Sequence, residues 1–195
     1  GLDENQPYPD PVLRFTDSLT GDKVDFVPHE EGKASVYWCG PTVYDVPHLG
    51  HARSTLAFDL LVRYLRWTGL DVTAVSNITD IDDKIINRAA DEGSSEPEVA
   101  SRFEATFVEQ MDRLNIAHPD LRPRATDYVD RMVEVIGELV EREMAYTTIS
   151  GVYFDVDRLD EYCALVGRSV DDLREGAGAR VDVDDEHAVG ARVGD

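Results

Sequence analysis

The residues best placed to do chemistry are Cys39, His48 and His51, within Tyr37-Trp38-Cys39-Gly40-Pro41-Thr42-Val43-Tyr44-Asp45-Val46-Pro47-His48-Leu49-Gly50-His51. A thiol closes an apolar run, and further on two imidazoles flank a glycine where a helical pattern begins. Imidazoles three positions apart share one face of a first helical turn, so both could donate to an anion held at the helix's unpaired N–H groups and positive dipole end. Gly50 between them leaves room for a base or a ribose. The same residues also suit an ordinary helix start in which one His caps and the other packs. Cys39, equally, could be a small buried hydrophobe. A zinc ligand needs two or three partners; no Cys-x-x-Cys pair is present, and Cys163 and His187 are partners on paper only. A second stretch, Asn77-Ile78-Thr79-Asp80-Ile81-Asp82-Asp83-Lys84, has two readings as well. Thr79 and Asp82 form a capping box, or Thr79 or Asp80 faces the same crevice as Cys39 and holds a small polar ligand.

These residues need elements to position them. Ala34–Cys39 is a compact apolar run ended by Gly40-Pro41, as expected of a strand buried on both faces in a parallel sheet. From His48 to Thr68 the apolar residues Leu49, Ala52, Leu56, Leu60, Tyr64 and Trp67 recur at helical spacing, and Gly69 supplies a stop. Val72–Ile78 is a second strand, and Thr79–Asp82 opens a second helix running to about Glu92-Gly93. The β-α-β-α order predicts a right-handed crossover and a parallel sheet, with ligands bound outside the carboxyl ends of its strands. Ser95 with Glu98 caps a third helix, and Leu13–Val27 reads as a hairpin with a Gly-Asp turn. The prolines of Ala117-His118-Pro119-Asp120-Leu121-Arg122-Pro123-Arg124 break the pattern. A fourth helix over Thr126–Met144 and a hairpin around Ser150-Gly151 follow, in what reads as an insertion and not a continuation of the sheet. The tail from about 175 has little apolar content and no period, and is expected to be poorly ordered.

The chain has 195 residues and 42% hydrophobic content, enough for a buried core. Its formal charge is -21, from 40 acidic and 19 basic residues, so a polyanion would have to bind at a local basic patch. Two distant cysteines suit a reducing, cytoplasmic compartment. No stretch approaches the roughly eighteen apolar residues of a membrane span, so no membrane partner is expected.

Taken together and in order, Cys-Gly-Pro-Thr-Val-Tyr-Asp, His-Leu-Gly-His-Ala-Arg, Phe58-Asp59, Arg63-Tyr64-Leu65 and Asn-Ile-Thr-Asp-Ile-Asp-Asp-Lys-Ile-Ile closely resemble cysteinyl-tRNA synthetase, a class I aminoacyl-tRNA synthetase. The resemblance runs from about Asp17 to Val183. It implies an α/β fold, the first half of a Rossmann-like (HUP-type) parallel-sheet nucleotide-binding domain over 1–116, with part of a connective insertion over 117–195. It also implies activation of L-cysteine with ATP and Mg2+ to cysteinyl-adenylate, then transfer to tRNA(Cys), by an enzyme that is a monomer when complete. By the matching motifs, Cys39 corresponds to a zinc ligand. Pro41, His48, Gly50 and His51 correspond to ATP-binding positions, the two histidines being those of the HIGH signature and catalytic, and Gly40, Thr42 and Thr79 to the cysteine pocket. Zinc makes chemical sense there, because it binds a thiolate far better than the similarly shaped serine hydroxyl.

The chain departs from the family after Glu186. The remaining zinc ligands and the Lys-Met-Ser-Lys-Ser-type ATP loop, expected downstream, are absent, so the chain is expected to stop inside the insertion, by truncation or frameshift, and to have little aminoacylation activity alone. Two alternatives stand beside this reading. A ligase joining cysteine to an amino sugar in mycothiol synthesis shares the Cys39 and His-x-Gly-His arrangement, although Gly-Pro-Thr-Val-Tyr-Asp and Ile-Asp-Asp-Lys-Ile-Ile are more similar to the tRNA ligase. A catalytically inactive half domain is the other.

Overall fold

The computed structural model describes residues 13–167. The tail from about 175, with His187, lies outside them. In chain order, β1 (Arg14–Thr16) and β2 (Lys23–Asp25) form an antiparallel hairpin, followed by β3 (Lys33–Trp38), α1 (Leu49–Trp67), β4 (Asp71–Ser76), α2 (Asp83–Glu92) and α3 (Glu96–Arg113). A short 3-10 turn at Ala125–Tyr128 leads into α4 (Val129–Glu141), and β5 (Ala145–Thr147) and β6 (Val152–Phe154) form a second hairpin. Among the described residues there are two compact units, 28–131 and 13–27 together with 132–167. Residues 117–131 pack within the first of these.

The unit from Pro28 to Arg131 is organised by the parallel pairing of β3 with β4, in register from Lys33 opposite Asp71 to Trp38 opposite Ser76. Helix α1 makes the crossover and packs on both strands. Its Phe58 ring stacks on Trp38 with centroids 5.2 Å apart and planes 8° from parallel. Burial along the strands alternates: Ala34, Trp38, Val72, Ala74 and Ser76 are buried, whereas Ser35, Tyr37 and Thr73 are exposed. The double-sided burial expected of β3 is therefore not found, because among the described residues only the α1 face is covered.

The outer edge of β4 is closed by a segment that its prolines disguise in the sequence. Leu121 N–H donates to Ala74 O at 3.1 Å, Ser76 N–H to Leu121 O at 3.1 Å, Ile78 N–H to Pro123 O at 2.8 Å, and Ala125 N–H to Ile78 O at 2.9 Å. A proline lacks an N–H but keeps its carbonyl, so Pro123 can serve an edge as an acceptor. Residues 121–125 thus extend the sheet, where the sequence reads the start of an insertion. Asp120 anchors this segment: its carboxylate accepts from Ala74 N–H at 2.6 Å and from Arg66 Nη2 at 2.7 Å. Asp59, buried on α1, ties down the approach by accepting from Arg63 Nε at 2.9 Å and from Ala117 N–H at 3.2 Å.

Helix α1 has the expected span, but its buried residues are Asp59, Val62 and Leu65, while Leu49, Leu56, Leu60 and Trp67 are exposed. Apolar residues occur on both sides of this helix, so the 3.6-residue period alone does not identify the side facing the sheet. The main core lies between α2, α3 and the residues following β3 and β4, with Val43, Ile78, Ile85, Val99, Phe103, Phe107 and Met111 buried together. Full burial of side chains such as Ile85 and Val99 contributes about 1.5–3 kcal/mol each. Ser95 and Glu98 cap α3 as expected. The predicted cap of α2 is corrected: Asp82 alone serves, accepting from Lys84 N–H at 2.9 Å, because Thr79 is occupied in the sheet. No helix among the described residues is long and apolar enough to cross a membrane.

The Asp120 carboxyl sits below its ordinary pKa, mainly because it accepts the Ala74 amide and further because Arg66 lies beside it. A depressed folded-state pKa stabilises the fold above the unfolded value and is lost as pH falls through the folded one. Asp120→Asn is therefore expected to cost about 1 kcal/mol at neutral pH, a charge-assisted bond discounted for solvent exposure. Melting curves across acid pH should show the gap between the two proteins closing as the pH drops through the depressed value.

Candidate active site

Two stretches of irregular backbone leave the carboxyl ends of β3 and β4, and the parallel register brings them side by side. The isolated bridge between Thr42 and Thr79 continues the pairing beyond the strands. Val43 N–H donates to Thr79 O at 3.1 Å and Thr79 N–H to Pro41 O at 3.0 Å. Gly40, Pro41, Thr42 and Thr79 are thus brought together. At Gly40 the approach is too close for any side chain: a Cβ built there would lie 1.5 Å from the carbonyl oxygen of Asn77.

Asn77 links the two stretches with its side chain. Its Oδ1 accepts from Gly40 N–H at 3.0 Å and from Tyr37 Oη at 3.0 Å, and its Nδ2 donates to Thr79 Oγ1 at 3.3 Å. Sequence reasoning singled out neither Asn77 nor Tyr37 as a site residue. The available signal was an amide side chain where a strand gives way to loop, but its partner Gly40 lies 37 residues away in sequence and is brought near only by the crossover.

His48, Gly50 and His51 come together at the start of α1. His48 is the N-cap, and its Nδ1 accepts from Gly50 N–H at 3.0 Å; the Nδ1 of His51 accepts in return from His48 N–H at 3.2 Å. The rings stack with centroids 4.0 Å apart and planes 25° from parallel. Capping and anion binding, alternatives in the sequence, are compatible here. Each Nδ1 is used as an acceptor, so each neutral ring carries its proton on Nε2, which can donate. Partial burial lowers the pKa of His51, and the neighbouring His48 lowers it further. Both effects favour the neutral ring, and the Gly50 amide is already engaged by the cap.

The remaining residues divide between scaffold and site. Asp80 accepts from Thr126 N–H at 3.0 Å, holding the 3-10 turn, so it is not an open polar group of the crevice. Lys84 lies over the Tyr44 ring, 5.2 Å from its centroid, and Arg88 approaches Asp45 at 3.8 Å, fastening the stretch between Thr42 and His48 to α2. Cys39 is exposed and not packed as a small hydrophobe; Cys163 belongs to the other unit. No group of three or more His, Cys, Asp or Glu side chains able to hold a metal occurs among the described residues.

Gly40→Ala must force the two stretches apart and is expected to cost about 2 kcal/mol or more. Gly137→Ala, within α4 and with nothing near its Cβ, should instead stabilise by about 0.5–1 kcal/mol. Thermal melting of the two variants checks both signs.

The family model for the class I (C) catalytic domain of tRNA synthetases matches residues 25–189. Similar proteins include the cysteine–tRNA ligase of Oleidesulfovibrio alaskensis, 52% identical over 166 residues, which is 85% of this chain and 34% of that protein. The cysteine–tRNA ligase of Trichlorobacter lovleyi is 48% identical over 174 residues, 89% of this chain and 35% of its own length. That of Pyrococcus furiosus is 46% identical over 166 residues, 85% and 35% of the two chains. Among solved structures, Mycobacterium tuberculosis methionyl-tRNA synthetase in complex with methionyl-adenylate superposes with a TM-score of 0.51 at 25% identity, covering 57% of this chain and 23% of the other. The chain thus spans about a third of the length of the curated relatives it matches. With a Rossmann-like α/β fold, paired stretches at the sheet's carboxyl rim and the family model matched over most of its length, this chain belongs to the class I (C) tRNA synthetase catalytic domain family.

Proposed function

We propose that this chain forms the first half of the catalytic domain of a cysteine–tRNA ligase, which activates L-cysteine with ATP and Mg2+ and transfers it to tRNA(Cys) in the cytoplasm, and that the insertion begins after the sheet unit. The observation that carries this reading is the joining of Gly40–Thr42 to Thr79 at the carboxyl rim of the sheet, in a chain about half identical to such ligases. Gly40, Thr42 and Thr79 line the cysteine pocket, and Pro41, His48, Gly50 and His51 meet ATP.

In the first half-reaction a carboxylate oxygen of cysteine attacks the α-phosphorus of ATP. The new O–P bond forms as the bond to the bridging oxygen breaks, and that oxygen leaves with the electron pair as pyrophosphate. Imidazoles whose Nδ1 atoms accept from the backbone present Nε2–H as donors, which suits the negative charge growing on the leaving group. Their Nδ1 atoms, fixed by backbone amides, keep the rings from turning when ATP arrives.

Zinc would favour thiol over hydroxyl in such a pocket, and the exposed thiol of Cys39 is chemically suited to be one ligand. One donor does not make a metal site, and the described residues supply no set of three. No step is therefore assigned to zinc.

Calorimetry with cysteinyl-sulfamoyl adenosine, an unreactive analogue of the adenylate, tests the reading on this chain. Saturable binding is expected; no binding would leave an inactive half domain. In a full-length ligase carrying these residues, His51→Ala should slow pyrophosphate exchange by roughly a hundred-fold, corresponding to about 3 kcal/mol for one donor to the transition state. An unchanged exchange rate would remove His51 from the reaction.

A further inference from the structure

We propose that Asn77 is a positioning residue that fixes the Thr79 hydroxyl as a hydrogen-bond donor toward the crevice, so that the pocket selects an amino-acid substrate presenting an acceptor atom there. The inference rests on the reading of Thr79 as part of a cysteine pocket and adds to it the direction of a proton.

The assignment follows from which groups can only give. The amide of Gly40 can only donate, and it meets one terminal atom of the Asn77 side chain at 3.0 Å. That atom must be Oδ1, and Tyr37 Oη donates to it as well. The other terminal atom is then Nδ2, also a donor, and it faces Thr79 Oγ1 at 3.3 Å. Thr79 must accept with one lone pair. A hydroxyl cannot direct its own proton along the line on which it accepts, so that proton points elsewhere. No acceptor for it occurs among the hydrogen bonds of the described residues. The Thr79 backbone is held meanwhile by the bridge to Thr42.

A chain of three polar groups thus runs from the Gly40 amide through Asn77 to Thr79 and ends in a donor. A carboxylate oxygen or the sulfur of the amino acid can accept that bond. Asn77 touches none of the reacting atoms in this account and acts entirely through Thr79.

Asn77→Asp is a near-isosteric reversal. The carboxylate still accepts from Gly40 and Tyr37, so the join between the two stretches survives, but it has no donor for Thr79 and takes the hydroxyl proton itself. Binding of cysteinyl-sulfamoyl adenosine to the chain should weaken about tenfold, the scale of one lost hydrogen bond, while ATP alone binds within about twofold of the unsubstituted chain. Thr79→Val should produce a loss of similar size, and adding Asn77→Asp to it should bring less than about a further twofold. Undiminished analogue binding in Asn77→Asp, or losses that multiply in the double variant, would overturn the inference. Should Asn77→Asp fail to fold, Thr79→Val decides alone, with unchanged affinity counting against the proposal. Absence of binding by the unsubstituted chain would instead reject the cysteine pocket itself, and the inference with it.

Discussion

The parallel pairing of β3 with β4 is the constraint on which the site depends. Parallel strands point their carboxyl ends the same way, so whatever follows each strand emerges at the same rim. Gly40–Thr42 and Asn77–Thr79 are separated by a whole helix in sequence, yet they exchange backbone hydrogen bonds because the pairing continues one bridge beyond the strands. The contact between Gly40 and the Asn77 carbonyl leaves no room for a Cβ. Backbone packed this closely cannot be adjusted locally, which makes the rim a preorganised surface.

The start of α1 shows how a helix end can be capped and still offer donors. Capping by His48 consumes the Gly50 amide, and the return bond from the His48 amide occupies His51 Nδ1. Each ring pays out one nitrogen to the backbone and keeps the other. Stacking at 4.0 Å makes a second positive charge costly, in keeping with the lowered pKa of His51. Rigid donors result, and their orientation is set before any ligand arrives.

Much of this was legible in the residues. The strand–loop–helix order, the spans of α1 and α2 to within a few residues, the Ser95–Glu98 cap and both hairpins follow from apolar period and turn chemistry. The sheet-edge segment at 121–125 was not, since prolines at 119 and 123 resemble a loop until one sees that an edge needs Pro123 only as an acceptor. The buried side of α1 was hidden because Leu49, Leu56, Leu60 and Trp67 make as good a stripe as Val62 and Leu65 do. Thr79 looked like half of a capping box because sequence spacing does not reveal a sheet partner 37 residues upstream, Thr42.

By itself the sequence determined the element types, the α/β class, the family and the identity of the chemical groups, because period, caps and motif order are local properties written along the chain. Tertiary structure decided which groups meet: Asn77 with Gly40 and Tyr37, Asp120 with Ala74 and Arg66, and Asp59 with Ala117. Those contacts arise from strand register and helix rotation, which are set by burial across the whole unit and have no signature at the residues they join.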